Sequence, residues 1–405
     1  MTENNARIAG LDVGDKHSVV CVIDPDTGEV LEEAKIRTTR KGLEGYFGGR
    51  EPMRVALEVG TNSPWISRQV EEHGHETLVA NARQVRLIHG GRRKSDQLDA
   101  EKLARLARYD EKLLAPITHR SGRAQADLAT IRSRDALVRS RTLLINHVRA
   151  TVKAFGSRIP SCSTKAFHKR APDAIPEPLK PALMPLVASI AEVNTRISEL
   201  DDTIERLANE TYPETQVLTQ IHNVGDTTAL AFILTLEDPA RFSKSRKVGA
   251  FLGLCPGRRQ SGDRDPQQRI SKEGDEMLRR LLVQAAHRIL GKKGEDSDLR
   301  RHGLRLIERG GEKPKNRAVV AVARKLAVLM HRLWVTGEVY DPFYNSRHAD
   351  PTTQELAVSR DIQPPALGGQ PVSRTWGVSS VGHLRLHFFE PEAFSVDRNY
   401  VAVVE

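Results

Sequence analysis

Cysteine is scarce. The 405 residues hold three, Cys21, Cys162 and Cys255, far apart and in no C-x-x-C arrangement. That excludes a disulfide framework and a thiolate metal centre, and it fits a reducing compartment. Aromatic residues make up only 5%, so base stacking is not expected to dominate any contact with nucleic acid; phosphate contacts are. No apolar run approaches the length of a membrane span, and the opening MTENNARIAG is polar and lacks a secretory pattern. Internal repeats and low-complexity tracts are absent as well. These gaps lead to the expectation of a soluble, cytoplasmic (nucleoid-associated) protein with no membrane partner.

Acid is short relative to base. Lys and Arg number 62 against 52 Asp and Glu, giving a formal net charge of +10. An excess of this size points to nucleic acid, because neutralising phosphates and releasing their counterions supplies generic affinity. A solvated basic surface on an ordinary enzyme is the plainer alternative.

The pattern along the chain predicts an α/β unit followed by an all-α part. RIAGLDVG and HSVVCVID flank a turn, VLEEAKIRT follows a second turn, and RVALEV (54–59) and ETLVA complete five strands. Helical segments, one of them over NSPWISRQVEEHG, alternate with the later strands, so residues 1–115 read as one α/β domain. Residues 116–212 carry an apolar stripe at helical spacing through Leu128, Ile131, Leu137, Leu144 and Val148. After a Pro-rich break at 172–185 a second such stripe follows. The pair reads as a coiled-coil arm, either a dimer element or an intramolecular hairpin. Residues 213–341 read as mostly helical with a few short strands. Residues 342–405 are rich in Pro, Gly and Ser and read as a flexible tail with one candidate strand at HLRLHFF.

Four carboxylates stand out. Asp12 in GLDVG and Glu58 in ALEVG each end an apolar run, where burying a charge is costly unless it is paired or binds metal. Asp96 and Asp99 lie three residues apart at a helix start, directly after Arg92, Arg93 and Lys94. Clustered acids repel one another unless a cation sits among them, and Mg²⁺ prefers such hard oxygen ligands. The basic triplet would then hold a nucleic-acid backbone. The plain reading makes Asp96 a helix N-cap and leaves Asp12 and Glu58 as strand-end acids in solvent.

The order Asp, Glu, Asp-x-x-Asp on a β-β-β-α-β-α framework resembles the RuvC-like, ribonuclease H-type domain. More narrowly, GLDVGDKHS, ALEVGTNSPW and RKSDQLDAEKLARL resemble the DEDD-motif insertion-sequence transposases of the IS110 and IS1111 type, relatives of the Piv invertases. Ser95 stands where that family usually has Thr. The resemblance implies that Asp12, Glu58, Asp96 and Asp99 bind Mg²⁺.

A second segment, GLCPGRRQSGDRDPQQRISKEGDEMLRRLL, places Ser261 among Arg258, Arg259 and Arg264, with Arg269 and Lys272 close behind. Guanidiniums around a hydroxyl can stabilise charge developing on a phosphodiester. From composition alone, the better reading of Ser261 is a residue of a basic loop that hydrogen-bonds a phosphate. The same transposases carry a nucleophilic serine in a region of this pattern, and the resemblance puts Ser261 in that role. It departs in two ways: Gln260 precedes Ser261 where many relatives have a second serine, and Asp275 replaces the usual Asn. LTQIHNVGDTTALAFILTLED is similar to their helix-hairpin-helix stretch, with Asn223 replacing a glycine; an ordinary helix-loop-helix reads almost as well. Across residues 7 to 341 the resemblance implies a DNA recombinase working as a homodimer or homotetramer. It also implies covalent serine–DNA intermediates and guidance by a structured RNA (a bridge RNA). A metal-only RuvC-like nuclease, an invertase without RNA guidance and a non-catalytic nucleic-acid-binding protein are the alternatives.

Overall fold

The first strand is short because Gly-Asp-Lys turns the chain back on itself, and this tight turn organises the sheet. In a computed structural model of the chain, the described residues are 6–81, 95–262, 264–266 and 268–348. Strands β1 (Ile8–Asp12), β2 (His17–Ile23), β3 (Val30–Arg37), β4 (Arg54–Glu58) and β5 (Glu76–Ala80) form one sheet in the order β3-β2-β1-β4-β5. The hairpins β1–β2 and β2–β3 are antiparallel, whereas β1–β4 and β4–β5 are parallel. All five expected strands are present. The helix over 62–74 is present too, as α2 (Ser63–Glu72).

Helices cover both faces, as strands with parallel partners require. Leu43 and Phe47 of α1 (Arg40–Phe47) and Ile66 and Val70 of α2 pack on Ala9, Leu11, Val55 and Leu57. Ala100, Leu103, Ala104 and Ala107 of α3 (Asp96–Tyr109) pack on the opposite face against Ile8, Cys21, Ala56 and Ala80. Alternation along each strand divides the two cores.

The arm is an intramolecular hairpin. Helices α4 (Gly122–Ala154) and α5 (Lys180–Arg206) run antiparallel: Arg134 pairs with Asp201, and seven residues later Arg141 donates to Asn194 Oδ1 at 2.8 Å. At 33 residues, α4 is about 50 Å long. Its tip carries a small core around Phe167, Val148, Val187 and Ile190, while Leu128, Ile131 and Ile204 at its root join the C-terminal core. The expected break at 172–185 is shorter than the prolines suggest. Pro181 sits in the first turn of α5, where its missing N–H costs nothing, and the helix runs on through Pro185.

The C-terminal part packs around α6 (Asp226–Leu236), buried from Ala229 to Leu236. Longer helices that follow it are α7 (Arg246–Phe251), α8 (Glu276–Leu290), α9 (Asp298–Glu308) and α10 (Pro314–Thr336). Instead of the expected short strands, the described residues here show isolated bridges, Pro256–Ile270 and Ser261–Arg264. Residues 342–348, read above as the start of the tail, fold back: Pro342 O accepts from the Asp298 N–H at 2.8 Å, and Asp298 Oδ2 accepts from Asn345 and Ser346. Residues 349–405, and with them the candidate strand HLRLHFF, lie outside the described residues.

Candidate active site

Asp12 and Glu58 are the last residues of two neighbouring parallel strands. The register pairs Ala9 with Val55 and Leu11 with Leu57, so Asp12 and Glu58 follow the same rung. Each lies two residues beyond a position facing α3 (Gly10 and Ala56), so alternation turns both carboxylates to the α3 face. Both are half-buried and both already have interaction partners within the protein.

The second pair arrives with α3. Gly10 is the contact that seats this helix: a Cβ there would lie 1.9 Å from the Ala100 carbonyl oxygen and 2.7 Å from the Ala104 nitrogen. Any side chain larger than hydrogen would push α3 off the sheet. The close approach sets Asp99 and Ala100 beside the strand that ends in Asp12. A glycine inside a strand pattern signals such backbone proximity, and it is the sequence clue that would have found this residue.

The cap of α3 corrects one expectation. Ser95, not Asp96, closes the helix: its hydroxyl accepts from the Leu98 N–H at 3.3 Å, and its carbonyl accepts from the Asp99 N–H at 3.0 Å. The hydroxyl shared by Ser95 and the family's usual Thr therefore has a structural task. Neither Asp96 nor Asp99 is needed to cap the helix. Asp96 is exposed in the first turn, where the helix dipole favours an anion. Asp99 is 7% exposed and its Oδ1 lies 3.2 Å from Lys102 Nζ.

The four acids thus lie toward one end of one face of the sheet. Their oxygens are the donors that Mg²⁺ favours. In kind, as hard oxygen donors, the set suits such an ion. Among the described residues, however, no three carboxylate, imidazole or thiolate groups are gathered closely enough to hold one, and Lys102 occupies Asp99. Binding would require the carboxylates to draw together and Asp99 to leave its ammonium partner. Arg92, Arg93 and Lys94 lie outside the described residues.

Ser261 stands on a different element. Between α7 and α8 the chain makes a narrow excursion closed by Gly257 N–H to Arg269 O at 2.9 Å and Ser271 N–H to Cys255 O at 2.9 Å. At its tip, Ser261 and Arg264 exchange backbone hydrogen bonds of 3.0 and 3.1 Å. Ser261 is exposed there, and Gly262 follows it with φ +56°. Arg258 is turned onto the excursion itself, donating to Gln260 Oε1 at 2.7 Å and pairing with Asp265 at 3.4 Å. Gln260, which stands where many relatives have a serine, therefore holds a guanidinium beside the tip. Arg259, Arg264, Arg269 and Lys272 are exposed around it.

The root of the excursion is tightly fixed. A Cβ on Gly253 would meet Glu273 O at 2.2 Å, and one on Gly274 would meet Phe251 O at 2.0 Å. Asp275 then caps α8, accepting from the Leu278 N–H at 2.9 Å. In the stretch before α6, Asn223 adopts φ +70°, the left-handed geometry a glycine would supply, and Gly225 caps α6.

Comparison with known proteins follows this division. Residues 9–156 match a family profile for DEDD transposases of the IS110 type, and residues 215–302 match one described as the IS116/IS110/IS902 transposase family. The transposase for insertion sequence element IS1328 of Yersinia enterocolitica is 30% identical, over 70% of this chain and 83% of its own length. The transposase for IS1111A of Coxiella burnetii is 29% identical, over 82% of this chain and 91% of its own. A probable family 20 transposase of Pseudomonas aeruginosa is 27% identical, over 75% and 90%.

Proposed function

This chain belongs to the IS110 family of transposases, and we propose that it cuts and rejoins DNA strands through an acidic Mg²⁺ site and a serine nucleophile. The observation that carries the reading is the shared rung: Asp12 and Glu58 end neighbouring strands on the face where α3 begins with Asp96 and Asp99. The β-β-β-α-β-α order of the first domain supports its assignment to the RuvC-like, ribonuclease H-type group.

In this reading Asp12, Glu58, Asp96 and Asp99 would hold Mg²⁺, which would supply Lewis-acid chemistry at the phosphate oxygens. The Ser261 Oγ attacks phosphorus and gives its proton to solvent, the bond from phosphorus to one deoxyribose oxygen breaks, and that oxygen takes a proton from solvent to leave as the sugar hydroxyl. The phosphoserine ester conserves the bond energy. A sugar hydroxyl from another strand then attacks the same phosphorus, and the Ser261 oxygen leaves and recovers a proton. Arg259, Arg264, Arg269 and Lys272 draw in the backbone and oppose the charge that develops on phosphate.

The exposed tip supports a composite site, because a serine whose backbone bonds are local can be presented to another body without unfolding its neighbours. We assign the acids to one subunit and Ser261 to another, within a homodimer or homotetramer. A structured guide RNA would read the target by base pairing while the basic, aromatic-poor surface holds backbones. The metal-only nuclease is the competing reading, favoured by Ser261 standing on a different element from the acids. Ser261→Ala separates the two. A phosphodiester cleavage assay with Mg²⁺ and denaturing electrophoresis should show loss of both cleavage and the protein–DNA adduct. Cleavage that persists in the variant establishes the nuclease.

A further inference from the structure

From residue 298 to residue 325, nine Lys and Arg stand against three Asp and Glu. Two of the arginines are engaged in holding the fold. Arg300 donates to the Ile289 and Gly291 carbonyls at the end of α8, and Arg301 pairs with Asp296 at 2.6 Å. Arg305, Arg309 and Lys325 form no ion pair among the described residues, although all three are exposed enough to take one.

Packing brings these cations together. Gly303 is buried where α9 crosses α10, and a Cβ there would come within 2.5 Å of Leu290 and 2.6 Å of Val322. His302, Arg305 and Arg309 follow helical spacing i, i+3 and i+7, so they share one face of α9 and its end. Lys325 lies one turn beyond Val322 on α10, the side chain on which Gly303 rests. Burial first, then Lys325, Arg305 and Arg309, lower the His302 pKa, while burial and Arg305 lower that of Lys325. The one acid opposing this at Lys325 is Asp298, and its carboxylate is taken by the Asn345 and Ser346 N–H groups.

Like charges held side by side by a tight helix crossing are unfavourable in the free protein, and an anion relieves them. We propose that His302, Arg305, Arg309 and Lys325 form a cradle for a nucleic-acid phosphodiester backbone, separate from the serine excursion. The cradle rests on the reading of the chain as a protein that handles nucleic acid, but not on the identity of the nucleophile. Its task is to anchor: it holds a duplex or a folded RNA in register while cutting occurs elsewhere. The guanidiniums suit phosphate better than an ammonium, since their fork can engage two oxygens.

The test uses the full chain with Arg305→Ala and Lys325→Ala combined, and fluorescence anisotropy on a duplex DNA and on a folded RNA across a salt series. Each lost phosphate contact should reduce the slope of log affinity against log salt by about 0.9 on duplex DNA, so the double variant should lose about 1.8. A reduced slope with DNA, with RNA or with both supports the cradle and identifies its occupant. An unchanged slope with both overturns it. Thermal melting of the variant should equal or exceed the parent, because like-charge repulsion is removed, so misfolding does not confuse the result. Arg305→Lys should restore part of the slope. Because binding is read without cleavage, failure of the serine mechanism leaves this measurement intact.

Discussion

Arg132 and Asp275 meet across the boundary between the arm and the serine segment, with Nη2 3.1 Å from Oδ2. Arg120, on the linker from the first domain, approaches the same oxygen at 3.7 Å. Asp275 therefore does two things at once: one oxygen caps α8, while the other holds two arginines from the preceding elements. Burial lowers the Arg120 pKa, and the Asp275 charge acts in the opposite direction. The family's usual Asn would keep the cap and lose the charge.

That division gives a graded prediction. Asp275→Asn keeps an N-cap oxygen and loses only the ion pairs. The cost should be about 1 kcal/mol, since Arg132 is exposed and water replaces part of the contact. Asp275→Ala loses the ion pairs and the cap together, so roughly 2 kcal/mol is expected. Urea titration followed by circular dichroism checks the order. Equal loss in the two variants would show that the charge matters and the cap does not.

Capping and chemistry should separate at the start of α3. Ser95→Ala removes the hydroxyl that accepts from Leu98 and should cost about 1 kcal/mol. Asp96→Asn gives up only the dipole interaction of an exposed carboxylate, about 0.3–1 kcal/mol, yet should abolish Mg²⁺-dependent strand cleavage. The pair is read by melting temperature beside a cleavage assay. If Asp96→Asn cleaves normally, Asp96 has no place among the metal ligands.

The hairpin carries a buried charge whose value can be tested. Arg141 is 9% exposed, donates to Asn194 at 2.8 Å, and its Nε has no hydrogen-bond partner among the described residues. Desolvation lowers its pKa, with Arg134 adding to the effect. Asn194→Ala removes its acceptor and should destabilise by roughly 1–3 kcal/mol. Arg141→Leu removes the buried charge along with its need for a partner, and should be neutral or stabilising. Chemical denaturation of both variants checks the difference in sign.

The sheet was legible because alternation and turns are local. Val19, Cys21 and Ile23 face one core and Val20 and Val22 the other, as a period of two requires. Helix α1 was not legible: Gly42 and Gly45 in RKGLEGYF weaken its propensity, and tertiary burial of Leu43, Tyr46 and Phe47 supplies what the segment lacks. Asp96 read as a cap because acid at a helix start is ambiguous by one residue, and only the hydroxyl geometry of Ser95 decides it. That two long apolar stripes close on each other within the chain depends on contacts such as Arg141–Asn194, which helical spacing alone does not specify. The meeting of Arg120 and Arg132 with Asp275 joins residues far apart in sequence, and no local pattern encodes it.

Gly10 offers the sharpest test of how the acids are brought to one place. Gly10→Ala puts a methyl 1.9 Å from the Ala100 carbonyl, a backbone atom with no flexible end to yield. Strand β1 is buried between two helical layers and cannot move away either. Helix α3 must shift, and with it Asp96 and Asp99. Overpacking of this kind costs about 3 kcal/mol or more. Gly45→Ala is the matched control: it lies within α1 and nothing stands within 4 Å of its added Cβ. That change should stabilise by about 0.5–1 kcal/mol, because Ala loses less backbone entropy than Gly in a helix. Opposite shifts in melting temperature from the same one-carbon addition would establish that α3 is held to the sheet by the absence of a side chain at Gly10. A tolerated Gly10→Ala would mean that α3 has room to move and that the Gly10 contact does not fix Asp96 and Asp99.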